Sequence, residues 1–180
     1  MNNFVEAVFA IDSHGGMGYK NALPWPRNKE DMKFFSEITK NSILIMGRKT
    51  WESDDMIRPL PKRKNIVLTK SPELYREKYE SILHHVSFVK SSDPEEIIKF
   101  CARFTEQNPH YYRKIVIGGP AVLNLFLPYT RRAYITKLDQ QFATDTKIDI
   151  KKYLTGFSYS SGQTLNSYST VTEYVNASVS

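Results

Sequence analysis

Short continuous apolar runs alternate along the chain with spaced apolar stripes, the first pattern belonging to buried strands and the second to helices that cover one face. Residues 4–11 form a near-continuous β-favouring run broken by Glu6, which predicts a central strand. Residues 12–21 then carry three glycines and several turn formers, so a loop leads from this strand to Pro24. Pro24 and Pro26 flank Trp25 and forbid a helix there, whereas Asn28 is an N-cap for a helix from about Lys29 to Lys40 with acids in its first turn. Residues 42–47 read as a second buried strand, and a helix can start at Arg48 directly behind Gly47; residues 54–62, with two prolines, read as irregular. Strands follow at 65–69 and 85–89, and Asp93 and Pro94 supply an N-cap and an N1 proline for a further helix. A fifth strand at 114–117 is stopped by Gly118-Gly119, Pro120 opens a helix through about Phe126, and a sixth strand covers 134–138. The Ser-, Thr- and Tyr-rich remainder predicts two antiparallel strands near 157–161 and 169–175.

Strand, helix and strand thus alternate, which predicts an α/β fold: one domain over residues 1–180, with a central, mostly parallel twisted sheet, an antiparallel C-terminal edge and helices on both faces. On the helix from Lys29, the residues Asp31, Phe35 and Ile38 fall at i, i+4 and i+7 with Met32 adjacent, so the face to be buried carries a carboxylate. Either Asp31 serves the helix dipole or it serves chemistry, and Glu30, pointing elsewhere, would serve the dipole equally well.

Composition narrows the class. With 180 residues, 41% hydrophobic and 13% aromatic, the chain suits one packed globular unit. Cys101 is the single cysteine, lies in an apolar helical pattern with Ile97, Ile98 and Phe104, and allows no intrachain disulfide, as suits a reducing compartment. Met1-Asn2-Asn3-Phe4 lacks a leader pattern and no apolar run approaches the ~20 residues that span a bilayer, so a cytoplasmic protein without membrane contact is expected. The net charge of +6 raises the possibility of a nucleic-acid partner. Its bases, however, are scattered in short groups at Arg48-Lys49, Lys62-Arg63-Lys64, Arg131-Arg132 and Lys151-Lys152, without the long run that tracks a phosphate backbone, and no nucleic acid is expected. His14, His84, His85 and His110 show no ligand spacing, so no metal is expected, and no nucleophile elbow is present.

In a sheet of this kind ligands bind beyond the carboxyl ends of the strands. Gly47-Arg48-Lys49-Thr50 gathers backbone N–H groups, a hydroxyl and two cations at one such end, read either as a phosphate site or as a solvated helix start. Thr69-Lys70-Ser71 ends the neighbouring strand with two hydroxyls and an ammonium. Ile117-Gly118-Gly119-Pro120-Ala121 is read either as a tight turn or as a place where a flat ligand or a pyrophosphate meets the main chain.

Four blocks, in order and at similar spacing, resemble the dihydrofolate reductase family: Asn21-Ala22-Leu23-Pro24-Trp25 after the glycine loop, Ile45-Met46-Gly47-Arg48-Lys49-Thr50-Trp51-Glu52-Ser53, Arg58-Pro59-Leu60-Pro61-Lys62-Arg63-Lys64-Asn65, and Ile117-Gly118-Gly119. The resemblance implies reduction of 7,8-dihydrofolate to tetrahydrofolate by hydride from NADPH, inhibition by antifolates such as methotrexate or trimethoprim, and a monomer. Asp31 matches the family's pocket carboxylate, which holds the pterin and promotes protonation at N5; Thr136 matches the threonine that bonds it, and Trp25 the water-organising tryptophan. By the same resemblance the substrate contacts are Val8, Ala10, Met32, Phe35, Ser53, Met56, Ile57, Leu60, Arg63 and Ile117, with Arg63 on the α-carboxylate of the glutamate tail. Cofactor contacts fall on Ala10, on Met17, Gly18, Asn21, Ala22 and Leu23 of a mobile flap over the nicotinamide, and on Gly47, Arg48, Lys49 and Thr50. They continue on Leu68, Thr69, Lys70, Ser71 and Lys90 and on Ile117, Gly118, Gly119, Pro120, Ala121, Val122 and Leu123. Arg48 and Lys70 correspond to the 2′-phosphate region, and Gly118-Gly119 to a cis peptide.

The chain also departs from the family. Leu123 stands where many relatives have an aromatic, Thr172-Glu173 where an aromatic often precedes the acid, and the stretch from Ser53 to Arg58 is longer than usual, leaving open whether Met56 or Ile57 faces the pocket. The nearest rival, a pyrimidine reductase of riboflavin synthesis, shares the fold and cofactor but generally lacks the Leu-Pro-Trp to acidic-helix block and has no use for Arg63.

Overall fold

The computed structural model describes residues 3–90 and 92–180; Met1 and Asn2, part of the stretch that lacks a leader pattern, lie outside the described residues. In chain order the elements are β1 Val5–Ile11, β2 Gly16–Gly18, α1 Lys29–Ile38, β3 Ser42–Gly47, α2 Arg48–Trp51, β4 Lys64–Leu68, α3 Pro72–Lys78, β5 Val86–Val89, α4 Pro94–Gln107 and β6 Arg113–Gly118. They continue with α5 Pro120–Phe126, β7 Thr130–Leu138, β8 Thr146–Lys147, α6 Ile150–Tyr153, β9 Ser158–Asn166 and β10 Ser169–Val175. Eight strands form one sheet in the order β5-β4-β3-β6-β1-β7-β10-β9, parallel from β5 to β7 and antiparallel for β10 and β9, while β2 and β8 form a small separate pair. The chain steps outward from β3 to β5 and returns to insert β6 between β3 and β1. The ends of these three strands therefore meet where the direction of winding reverses, the position that favours a ligand crevice.

Alternation along the strands divides the core in two. Ile43 and Ile45 of β3 pack with Ile66, Val116, Ile97, Cys101 and Phe126 on the side covered by α4 and α5. Leu44 and Met46 point the other way and pack with Val67, Ile115, Trp51, Tyr75 and Phe88. Trp51, without exposed surface, meets Tyr79 and Phe88 edge to face at centroid distances of 5.3 and 5.6 Å. Truncating such a side chain to alanine typically costs about 3–5 kcal/mol, so α2 is fixed by this one residue although it is a single turn long.

Several boundaries differ from those the pattern predicts. α1 stops at Ile38 rather than Lys40 because the Thr39 hydroxyl donates to the Phe35 carbonyl at 2.7 Å and its amide follows to the same carbonyl, closing the last turn. β7 starts at Thr130, four residues early, its Arg131-Arg132 pair masking a stretch that pairs with β1. α3, which opens at Pro72 behind Ser71, α6 and the β2–β8 pair are additional to the elements the pattern predicts. β9 extends to Asn166 as an exposed edge, and register shifts in its pairing with β10 interrupt the ladder as edge bulges commonly do.

Candidate active site

α1 is held at its ends and leaves its inner face open. At the amino end the Asn28 side chain accepts from the Asp31 amide at 3.1 Å and donates to Ser169 Oγ, while Asn166 donates to both Asn28 and Glu30, so the β9–β10 hairpin grips the first turn. Between the ends Asp31, Phe35 and Ile38 are half-buried and no residue of the helix is fully buried. Asp31 thus stands at the rim of the apolar cluster rather than inside it. The Thr136 hydroxyl, itself 2% exposed on β7, donates to Asp31 Oδ1 at 2.6 Å. Burial pushes the Asp31 carboxyl above its ordinary value and the Thr136 bond opposes that only in part. Glu30 has the opposite character: it is exposed, and its own backbone amide and Asn166 hold its carboxyl low. The two adjacent acids are therefore different groups, one made proton-seeking by its surroundings and one a solvated first-turn anion.

Val8, Phe35, Met56, Leu60 and Ile117 belong to one apolar cluster on the α1 side of the sheet. Ala10 pairs in register with Thr136, which places it beside the Asp31 bond. Of the alternatives at the long segment, Met56 packs into this cluster whereas Ile57 is 65% exposed; Met32 is 45% exposed on the outer side of α1. Arg63 is not part of a surface basic group: its guanidinium is buried, donating to Ser36 O, to Thr39 Oγ1 twice at 3.2 Å and to Pro61 O at 2.7 Å. Lys62 stays exposed and Lys64 turns to the opposite side, its ammonium 5.3 Å from the Phe104 ring.

The loop between β1 and α1 is anchored at its root by Asp12. This carboxylate, 1% exposed, accepts from the amides of His14, Gly16 and Phe142 at 2.8, 2.8 and 3.0 Å. Further on, Lys20 and Asn21 have positive φ values of 47° and 64°, and Tyr19 and Ala22 exchange backbone hydrogen bonds across them, the pattern of a tight primed turn. The tip then crosses to the segment after α2: Asn21 O accepts from Ser53 Oγ and the Asp54 amide, and the Leu23 amide donates to Asp55 Oδ2 at 2.6 Å. Trp25, 6% exposed, closes the loop against Phe142 at a centroid distance of 6.2 Å, and Met17 packs on the other core. Asp12, Asp54 and Asp55 carry no sequence motif beyond turn propensity, and their partners are visible only in the fold.

The other expected positions gather at the carboxyl ends of neighbouring strands β3, β4, β5 and β6. A Cβ at Gly47 would come 3.0 Å from Val122 Cγ2, and one at Gly118, whose φ is +132°, would come 3.4 Å from Thr50 Oγ1, so the turns after β3 and β6 touch. The Gly118-Gly119 peptide is cis. Arg48 and Lys49 are exposed beside them, Arg48 pairing with Glu52 at 2.8 Å, which in turn accepts from the Tyr75 hydroxyl. Thr69 lies on β4's end with its hydroxyl receiving the Ser71 amide, and Lys70 and Lys90 are exposed nearby in sequence to β4 and β5. Leu123 has no exposed surface and packs in the core beneath α5. Cations, hydroxyls and unhindered glycine backbone on one strand-end row are a donor set that fits a phosphorylated nucleotide.

A family model described as dihydrofolate reductase matches residues 4–172. The dihydrofolate reductase of Bacillus subtilis is 34% identical over 141 residues, covering 78% of this chain and 73% of that protein. The dihydrofolate reductase of Saccharomyces cerevisiae is 34% identical over 163 residues, covering 82% and 73%, and the type 9 enzyme of Escherichia coli 30% identical over 146 residues, covering 81% and 76%. The sheet except the last three residues of β10, the half-buried acid on α1 and the glycine turns after β3 and β6 lie within the matched residues. This chain belongs to the dihydrofolate reductase family, a family of NADPH-dependent oxidoreductases.

Proposed function

We propose that the chain reduces 7,8-dihydrofolate to 5,6,7,8-tetrahydrofolate with NADPH, and that Asp31 governs protonation at N5. The observation that carries this reading is the Asp31–Thr136 pair: a single carboxylate, raised in proton affinity by burial, facing an apolar cluster at the ligand end of a parallel sheet. Arg48, Lys49, Thr50, Thr69 and Lys70 would hold the phosphates of NADPH, with the glycine turns after β3 and β6 admitting its backbone-facing parts. NADPH when bound supplies a hydride, directed to C6 of the pterin.

The remaining work falls to the chain's own groups. Asp31 binds the 2-amino group and N3 of the pterin, which fixes the ring and places negative charge where a proton on N5 is favoured. Thr136 keeps the carboxylate in that orientation. Trp25 orders the water that carries the proton, and Phe35, Met56, Leu60 and Val8 keep bulk water from the ring, strengthening the charge effect. Arg63, planar and already oriented by Thr39 and Ser36, takes the glutamate α-carboxylate.

Loss of NADPH absorbance on adding dihydrofolate to the purified protein, with and without methotrexate, tests the reading. Methotrexate-sensitive oxidation is expected. NADPH binding without dihydrofolate-dependent oxidation would remove dihydrofolate as the substrate.

A further inference from the structure

The carboxyl end of α1 is closed by Thr39, whose hydroxyl donates to the Phe35 carbonyl, and by Asn41 in the left-handed region at a φ of 54°. It has no basic residue in its last turn, and its chain continues through Thr39 and Lys40 without a glycine. Packing at this end is partial, with Ile38 resting on the edge of the apolar cluster. Ile38 is only half-buried, and beneath it lies an open cavity of about 450 Å³ bounded by Ile38, Glu6, Arg113 and Tyr134. Two guanidiniums from the start of other strands supply what the helix lacks. Arg63, just before β4, donates to Ser36 O and to Thr39 Oγ1. Arg113, the first residue of β6, donates to Ile38 O at 2.6 Å and with its Nε and second amino group to Glu6 of β1. The Glu6–Arg113 pair is largely buried, with side-chain exposures of 13% and 21%, so the guanidinium is oriented from the sheet side before it reaches the helix.

We infer that Arg113, oriented by Glu6, is a positioning residue for recognition of the substrate's tail carboxylate. It acts through Ile38 on the last turn of α1, whose Ser36 carbonyl and Thr39 hydroxyl in turn orient Arg63. The inference rests on the reading that Arg63 takes the glutamate α-carboxylate. Release of the Ile38 carbonyl lets the last turn drift over the cavity, and Arg63 loses its angle before Asp31, about two turns away and held by Asn28 and Thr136, is disturbed. The expected signature is therefore selective: weaker use of a substrate with the glutamate tail, and unchanged use of one without it.

Arg113→Lys keeps a cation beside Glu6 but cannot span Glu6 and Ile38 O together. The paired change Glu6→Gln with Arg113→Met removes the charges jointly, so that no buried carboxylate is left alone. Steady-state kinetics with dihydrofolate and with dihydropteroate, which lacks the glutamate, together with NADPH binding by fluorescence, read the effect. Both variants are expected to raise KM for dihydrofolate about tenfold, the size of one charge-assisted hydrogen bond lost indirectly. KM for dihydropteroate, kcat and NADPH affinity should stay within about twofold of the parent. Arg132→Met, which removes an ion pair to Glu173 on β7 and β10 with no bond to α1, is the control and should leave the dihydrofolate-to-dihydropteroate ratio unchanged. Equal shifts for both substrates, no shift, or the same selective shift in Arg132→Met would overturn the inference. Arg63→Leu separates the two layers: if it is selective for dihydrofolate while the Arg113 variants are not, only the positioning role fails, and if Arg63→Leu is itself unselective, the tail-carboxylate reading fails and the inference with it.

Discussion

Thr136 and Asp31, 105 residues apart in the chain, are joined by a 2.6 Å hydrogen bond that ties α1 to the middle of the sheet. The hydroxyl lowers the proton affinity of the half-buried carboxyl. Thr136→Val keeps the β-branched shape and removes the donor. The Asp31 pKa should rise further, the pH profile of kcat/KM should move upward with it, and the rate at neutral pH should fall about tenfold. A profile that does not move would mean that the bond is structural only.

Asp31 also has a predictable effect on stability. Its folded-state pKa is raised, so the folded chain binds the proton more tightly than the unfolded chain, and the stabilisation is present at acid pH and lost as pH rises through the folded value. At neutral pH the ionised carboxylate therefore works against folding, and Asp31→Asn should unfold at the same or a higher temperature than the parent while turning over about 10²–10⁴-fold more slowly. Thermal unfolding of both proteins at neutral pH checks this.

Asp12 behaves in the reverse sense. Burial pushes its carboxyl up, but the amides of Phe142, Gly16 and His14 together outweigh that and hold it below its ordinary value. Its contribution is then present above the unfolded-state pKa and lost as pH falls through the folded one. Asp12→Ala should cost about 2–3 kcal/mol at neutral pH, and the difference from the parent should shrink on acidification, as read by denaturant unfolding at a series of pH values.

Arg48 is exposed, charged, and held by Glu52 with Tyr75 behind it. If it receives the 2′-phosphate, Arg48→Ala should weaken NADPH binding about ten- to a hundredfold and NADH binding little. Equal weakening of the two cofactors in a fluorescence titration would place the 2′-phosphate elsewhere.

What could be read in advance depended on how local the cause was. The start of α1 was legible because Asn28 caps it, and the start of α4 because Asp93 and Pro94 do. β3 was legible because all its core positions are adjacent in sequence. α3 carries a readable local signal in Ser71, Pro72 and Glu73 between two strands. The β2–β8 pair was not readable, since three residues and two residues form a ladder only when the fold brings them together. Glu6 looked like a flaw in an apolar strand and is instead half of a buried pair whose other half, Arg113, lies 107 residues away. Arg63 lies in a run of three bases, and the family resemblance singles it out from Lys62 and Lys64; its bonds to the end of α1 are visible only in the fold. Leu123, which stands where many relatives have an aromatic, is wholly enclosed by the core, a burial that the sequence position alone does not reveal.

The most direct measurement is the pH dependence of turnover with dihydrofolate for Asp31→Asn and Glu30→Gln beside the parent, each with NADPH affinity determined separately. Asp31→Asn should bind NADPH as the parent does and lose turnover progressively as pH rises, because N5 must then take its proton from an ever scarcer supply in solution; Glu30→Gln should match the parent throughout. A loss in Asp31→Asn that is constant with pH, or an equal loss in Glu30→Gln, would contradict the assignment of the buried carboxylate to protonation at N5.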